Sequence, residues 1–213
     1  MVLTRILFAP HEDDAILSSG GLILQSLEQE INVVIVYLTD GSACYLVSNM
    51  DVGKTLEEVA RIRKTEALQC CGVLNVPTSN IQFLDIPDQH LNKPKHFSSA
   101  LEFIKIIIRS YSNVEVFVPV GKNPHPDHQA THDIVVQAVR ELQAEKVGVS
   151  IPIFQYGLHR AVVGKADLKV RLTPKELQQK IEAYNCHQSQ KFIKVNEIPA
   201  HNDVERFKLV KNK

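Results

Sequence analysis

The sequence predicts a doubly wound, Rossmann-like α/β fold, a mostly parallel sheet held between helices. Three observations predict it. Strand-like and helix-like segments alternate along the chain, the pattern of a parallel sheet with crossover helices. The strand-like segments are nearly continuous apolar runs, "INVVIVYLT" at 31–39 being the plainest, as expected of strands covered on both faces. Two clusters of histidine and aspartate each follow directly on a strand, where the ligand crevice of such a sheet lies.

The elements follow in order. "VLTRILFA" (2–9) reads as a first strand, and "AILSSGGLILQSLEQE" (15–30) as a helix with Gly20-Gly21 in its early turns. The run 31–39 is the second strand, and 40–54 a loop. Residues 55–74 form a helix with Thr55 as its cap. "NIQFLDI" (80–86) is a short strand, 97–111 a helix and "VEVFVPV" (114–120) a buried strand. "GKNPHPDHQATHD" (121–133) begins as a proline-broken loop and runs into a helix at 132–145. "IPIFQYG" (151–157) is a strand, and 173–190 a helix whose Thr173-Pro174 is a good start signal.

A chain of 213 residues with 44% hydrophobic content builds one sizeable domain, and no linker or repeat divides 1–213. Lys plus Arg and Asp plus Glu both number 24, so nothing marks a nucleic-acid or anionic-membrane partner. No apolar run approaches the ~18 residues of a membrane span. The N-terminal run is too short for a secretory signal. Cys44, Cys70, Cys71 and Cys186 form no C-x-x-C pair. They read as reduced and structural, which suits a cytoplasmic protein.

The chemistry gathers at two strand ends. The first is "FAPHEDDAILSSGG" (8–21), with His11, Glu12, Asp13 and Asp14. A dinucleotide site would place glycines there to receive pyrophosphate, and three carboxylates would repel it. They call for a cation. The second cluster, "HPDH" (125–128), offers His125 and His128 at another strand end. Histidine with carboxylate suits zinc, with three protein ligands and one open position for water. A remaining carboxylate can serve as base. Taken alone, either cluster also reads as a solvated turn capping a helix, with Asp127 well placed for that.

The motifs "PHEDD" followed by Gly20-Gly21, "LTDG" (38–41), "RKTE" (63–66), "LDIPDQHL" (84–91), "HPDH" and "HQSQ" (187–190) occur in the order of the LmbE/PIG-L family of zinc-dependent N-acetylglucosaminyl deacetylases, which the chain resembles. Glu12 stands where that family commonly has proline, and Ala15 where many members have glutamate. The resemblance implies one Zn2+ per chain, bound by His11, Asp14 and His128. It implies that Asp13 is the base activating the zinc-bound water. His125 would stabilise the tetrahedral intermediate or protonate the leaving amine, with Asp127 orienting it, and Arg63 would face the sugar pocket. The implied substrate is a small-molecule N-acetylated sugar conjugate. Homo-oligomers are common in the family, but no stretch here marks an interface.

Other readings stand beside these. Arg63 and Glu66 have the i, i+3 spacing of a surface ion pair. Glu12 reads as a solvated rim charge. His132, four residues after His128, is either a further ligand or a residue beside the site, and His187 either lines the site or packs. The loop 41–54 and the segment 87–96 are expected to choose the substrate. An amide hydrolase acting on a non-sugar N-acyl group and a non-catalytic metal-containing α/β domain remain alternatives.

Overall fold

A computed structural model describes residues 2–145, 150–158, 165–193 and 197–210. The chain runs β1 (Thr4–Ala9), α1 (Asp14–Glu28), β2 (Asn32–Thr39), α2 (Cys44–Val47), α3 (Leu56–Val73), β3 (Ile81–Ile86), α4 (Pro94–Arg109), β4 (Val114–Pro119), α5 (Pro126–Glu145), β5 (Ile153–Tyr156), β6 (Leu168–Arg171), α6 (Pro174–Tyr184), α7 (Glu197–Ala200) and β7 (Val204–Leu209). The strands form one seven-stranded sheet in the order β3-β2-β1-β4-β5-β7-β6. β3 to β5 are parallel, and β7 and β6 close one edge antiparallel. The expected fold class is therefore the observed one, with an antiparallel edge added.

Strand pleating divides the core. Ile6, Phe8, Val34, Val36, Val116 and Val118 face α4 and α5. Leu7, Val33, Ile35, Tyr37 and Phe117 face the opposite layer with α1, α3 and α6. Strands buried on both faces explain why alternation is missing from their sequences. The strand order reverses beside β1, so the crevice opens past the ends of β1 and β4.

Two boundaries move from the sequence expectation. The helix expected at 132–145 starts at Pro126, so "HPDH" lies at a helix start rather than in a long loop; proline is favoured at the first helical position because it lacks only an N–H that has no partner there. The helix expected at 173–190 ends at Tyr184, followed by a 3-10 turn at Gln188–Gln190. Both α3 and α6 start with capping boxes, at Thr55 with Glu58 and Thr173 with Glu176.

Gly20-Gly21 has a structural use. Helix α1 is broken at Ser19 (φ −141°), and the N–H groups of Gly21 and Leu22 both donate to the Glu205 carboxylate of β7 at 2.8 Å. The Lys180 ammonium pairs with Glu205 at 2.8 Å, and both side chains are buried. A Cβ on Gly21 would run into the Leu172 side chain. This pair fastens α6 and β7 to α1. Among the described residues no helix is long and apolar enough to cross a membrane.

Candidate active site

Strand β1 delivers the first cluster into the crevice. Its exit is pinned where the Pro10 carbonyl accepts from the Thr39 N–H at 3.0 Å and the Thr39 hydroxyl at 2.7 Å. The chain then turns tightly: the His11 N–H donates to Asp14 Oδ2 at 3.0 Å, and α1 begins. His11, Glu12, Asp13 and Asp14 are all buried. Strand β4 leads to the second cluster, and α5 carries Asp127 and His128 in its first turn. His128 Nε2 lies 3.3 Å from Asp14 Oδ2, and His11 Nδ1 lies 3.1 Å from the same oxygen. The rings of His11, His125 and His128 meet edge-on or tilted, with centroids 4.8–5.2 Å apart.

A third strand end contributes a residue that sequence reasoning did not single out. Asp88 follows β3, and its Oδ1 lies 3.3 Å from His11 Nε2 while Oδ2 accepts from the Ala43 N–H at 3.0 Å. The signal was present in "LDIPDQHL", a carboxylate just past a strand. Asp40 of "LTDG" fixes it by accepting from the N–H groups of Ser42 and Asp88, both at 3.0 Å. The Asp127 carboxylate accepts from the N–H groups of Gln89 (2.8 Å) and Leu91 (3.2 Å), which ties the turn after β3 to α5. The Asp127 N–H donates to His125 Nδ1 at 3.3 Å, and His125 Nε2 lies 3.2 Å from the Gln89 side-chain amide.

Arg63 of α3 enters from beneath. Its guanidinium lies 3.0 Å from Glu12 Oε2 and donates to Asp13 Oδ1 and the Gly41 carbonyl at 2.9 Å each. The Glu12 contact is an ion pair without hydrogen-bond alignment. Gly41 has φ +57°, and a Cβ there would collide with the Glu12 carboxylate and the Arg63 guanidinium. Glycine is the residue that tolerates both demands. Glu12 is thus no solvated rim charge: it is 1% exposed, because a cation 51 residues away in sequence packs on it. Nor do Arg63 and Glu66 form a surface pair. Both are buried, and Glu66 instead accepts from the Ser189 N–H at 2.9 Å and its hydroxyl at 2.6 Å.

The electrostatics follow from burial. Burial pushes the Glu12 carboxyl up to about 7, with Arg63 pulling the other way. Burial works against a charged His11, but hydrogen bonds to Asp127, Asp14 and Asp88 outweigh it and raise that imidazole well above its usual range. Burial would raise Asp88 as well, yet its bond and charge interaction with His11 hold it below the carboxylate range. Burial, then the His11 charge, lowers His125. Burial lowers His187 to about 4.

The donor set fits a divalent cation. Glu12, Asp13, Asp14, Asp88 and Asp127 bury five carboxyl groups around one guanidinium, an excess of negative charge that a bound cation offsets. Ligand atoms of His11, Asp14 and His128 all lie within 4.8 Å of one another. A second, overlapping group joins His11 to His125 and Asp127. His132 joins neither: its Nδ1 lies 2.8 Å from the Pro119 carbonyl, and its ring lies against Gly121. His187 is fully buried near Asp13 and Arg63, with both ring nitrogens lacking a hydrogen-bond partner among the described residues.

His11, Asp13, Asp14, Asp88, His125 and His128 line a cavity of about 520 Å3, together with Arg63 and Gln190. That is within the range of small-molecule sites, about 300–1,000 Å3.

Known proteins share this architecture. The structure of 4-carboxy-2-hydroxymuconate hydratase from Pseudomonas putida superposes with a TM-score of 0.83 at 19% identity, covering 100% of this chain and 98% of the other. That of N,N'-diacetylchitobiose deacetylase from Pyrococcus horikoshii gives 0.76 at 22% identity, covering 97% and 83%. At these identities the likeness is one of fold. In sequence, a probable N-acetyl-α-D-glucosaminyl L-malate deacetylase 2 from Bacillus anthracis is 24% identical over 193 residues, 89% of this chain and 82% of that protein. A putative glucosamine-6-phosphate deaminase-like protein from Bacteroides thetaiotaomicron is 23% identical over 87% of this chain, which spans only 35% of that longer protein. The family model described as PIG-L, GlcNAc-PI de-N-acetylase, matches residues 6–139. With the two strand-end clusters inside the matched region, the chain belongs to the PIG-L (LmbE) family.

Proposed function

We propose that this chain, acting as one domain, is a zinc-dependent hydrolase that removes the acetyl group from an N-acetylglucosamine-type substrate, giving the free amino sugar and acetate. The observation that carries this reading is the meeting of His11, Asp14 and His128 within 4.8 Å, on the same cavity as Asp13 and His125. The family and the names of the Bacillus anthracis and Pyrococcus horikoshii deacetylases support the substrate class.

The ligands would be His11, Asp14 and His128, and a zinc ion there would supply Lewis-acid polarisation of the acetyl carbonyl. Asp13 is the base. Arg63 holds its Oδ1, so the carboxylate is oriented before substrate arrives, and it accepts the proton of the attacking water. His125 accepts the Asp127 N–H on Nδ1, so its ring proton belongs on Nε2, the nitrogen 3.2 Å from the Gln89 side-chain amide; we assign that N–H to the developing oxyanion, in place of its contact with Gln89. Asp127 orients His125 through its main chain, while its carboxylate fixes the turn that carries Asp88 and Gln89. The departing amine takes back the proton held by Asp13. Two of the five Arg63 donors are spent in aligned hydrogen bonds, and the cavity-facing edge of the guanidinium is the part we assign to a sugar hydroxyl. The four free cysteines agree with a reducing compartment, and we assign the protein to the cytoplasm.

The test is a panel of N-acetylated sugars incubated with zinc-loaded and with chelated protein, scored for acetate and free amine. Equal release of both products by the zinc-loaded protein alone supports the reading. Absence of release across the panel contradicts it.

A further inference from the structure

The cavity has two unlike halves. The floor is polar and acidic, with Asp13, Asp14 and Asp88 around the histidines. The outer wall is apolar: Val47 of α2, Leu158 after β5 and Ile193 after the 188–190 turn line the same cavity. Val47 is 58% exposed, an apolar side chain left open to solvent on the lining of the site. Apolar side chains grouped in this way mark a binding surface.

The wall is held in register with the floor. At its inner end α2 is tied to the acidic floor, since the Ala43 N–H donates to Asp88 Oδ2. At its outer side the Tyr45 ring stacks on Phe192, centroids 5.2 Å apart and planes 28° from parallel. That contact joins the lip bearing Val47 to the lip bearing Ile193, so the two apolar surfaces face one cavity at a fixed spacing.

We infer that the substituent carried by the acetylated amino sugar is apolar, an alkyl or aryl group seated on Val47, Leu158 and Ile193. The inference rests on the deacetylase reading for the sugar and on the wall itself for the substituent.

The experiment compares methyl, hexyl and 5-carboxypentyl 2-acetamido-2-deoxy-β-D-glucopyranosides as substrates of the zinc-loaded protein, below micelle-forming concentrations. Calorimetric titration with methyl and hexyl β-D-glucopyranosides, which have no acetyl group to lose, runs in parallel. Each fully buried methylene is worth about fourfold in affinity, so the hexyl glycoside is expected to exceed the methyl one by roughly tenfold or more in kcat/KM. The 5-carboxypentyl glycoside is expected to show no such gain. Val47→Asp, at an exposed position that leaves the core intact, should collapse the hexyl-to-methyl ratio toward one. A hexyl glycoside no better than methyl, or a 5-carboxypentyl glycoside better than hexyl, overturns the inference. If no glycoside releases acetate, yet hexyl glucoside binds tenfold more tightly than methyl glucoside, the deacetylase reading fails and the apolar wall stands. Equal binding of the two glucosides sinks the wall whatever the activity.

Discussion

Replacing Arg63 by methionine keeps most of the side chain's reach and apolar volume and removes its charge. The guanidinium sits 2.9 Å from Asp13 Oδ1 and 3.0 Å from Glu12 Oε2, with Glu12 1% and Asp13 5% exposed. Water cannot take over its role. Glu12 already stands at about 7 with Arg63 beside it, so without Arg63 it rises further and binds a proton at neutral pH. Breaking a buried ion pair from one side costs about 3–5 kcal/mol. For a chain of this size each kcal/mol shifts Tm by about 2–4 °C, so Arg63→Met should melt roughly 6–20 °C lower. The assay is urea unfolding followed by circular dichroism, read as a change of midpoint at constant slope. Zinc content of the folded protein should be unchanged, because Arg63 is not a ligand in this account. The double variant Glu12→Leu/Arg63→Met removes one of the two carboxylates that Arg63 serves and should recover part of the lost stability. It should not recover kcat, because Asp13 still lacks its partner. An Arg63→Met protein as stable as wild type, or a double variant no better than the single one, would refute the reasoning.

Three further outcomes are expected. His128→Ala should lose most bound metal while His132→Ala keeps it, since His132 is turned to the Pro119 carbonyl; metal analysis of both variants decides. Lys180→Met leaves the Glu205 carboxylate buried without its cation and should cost about 3–5 kcal/mol of stability, with kcat retained below the melting range. His187 titrates at about 4 when folded against an ordinary value of 6.5. The unfolded chain therefore binds a proton in that window that the folded one refuses, so stability falls as pH drops from 6.5 to 4, by about 1.4 kcal/mol per unit. Glu12, raised from 4.5 to about 7, acts in the opposite sense over that range. The pH dependence of wild type minus that of His187→Leu isolates the histidine term, and identical acid limbs would show that His187 is not buried neutral.

The fold was legible where burial is symmetrical. β1, β2 and β4 are apolar on both faces, so their composition alone marks them. β6 and β7 escaped because they mix charge with apolar residues: Leu168–Arg171 is a four-residue edge strand, and both it and Val204–Leu209 carry charges on exposed positions, while Glu205 turns inward to Lys180 of α6. The two strand-end clusters were visible because histidine and carboxylate directly after an apolar run are a local pattern. What locality cannot show is pairing at a distance. Glu12 looks solvated until Arg63 is placed on it, and Arg63 looks paired with Glu66 until α3 is rotated so that both face inward. The start of α5 was misplaced because Pro124 and Pro126 suggest a broken loop, although a proline at the first helical position is compatible with the helix it begins. Asp88 lay in plain view after β3 but gains its meaning from His11, 77 residues away.

The division of labour between adjacent aspartates tests the account most directly. Asp14 Oδ2 faces both His11 and His128, whereas Asp13 Oδ1 is held by Arg63. Asp13→Asn and Asp14→Asn should be prepared side by side, with zinc stoichiometry and acetate release measured on an N-acetylglucosamine glycoside that wild type turns over. The account predicts that Asp13→Asn keeps its zinc and loses kcat by about 10²–10⁴, the usual worth of a general base. It predicts that Asp14→Asn loses the zinc itself. An Asp13→Asn protein with near-normal kcat, or one that loses zinc as fully as Asp14→Asn, would contradict it.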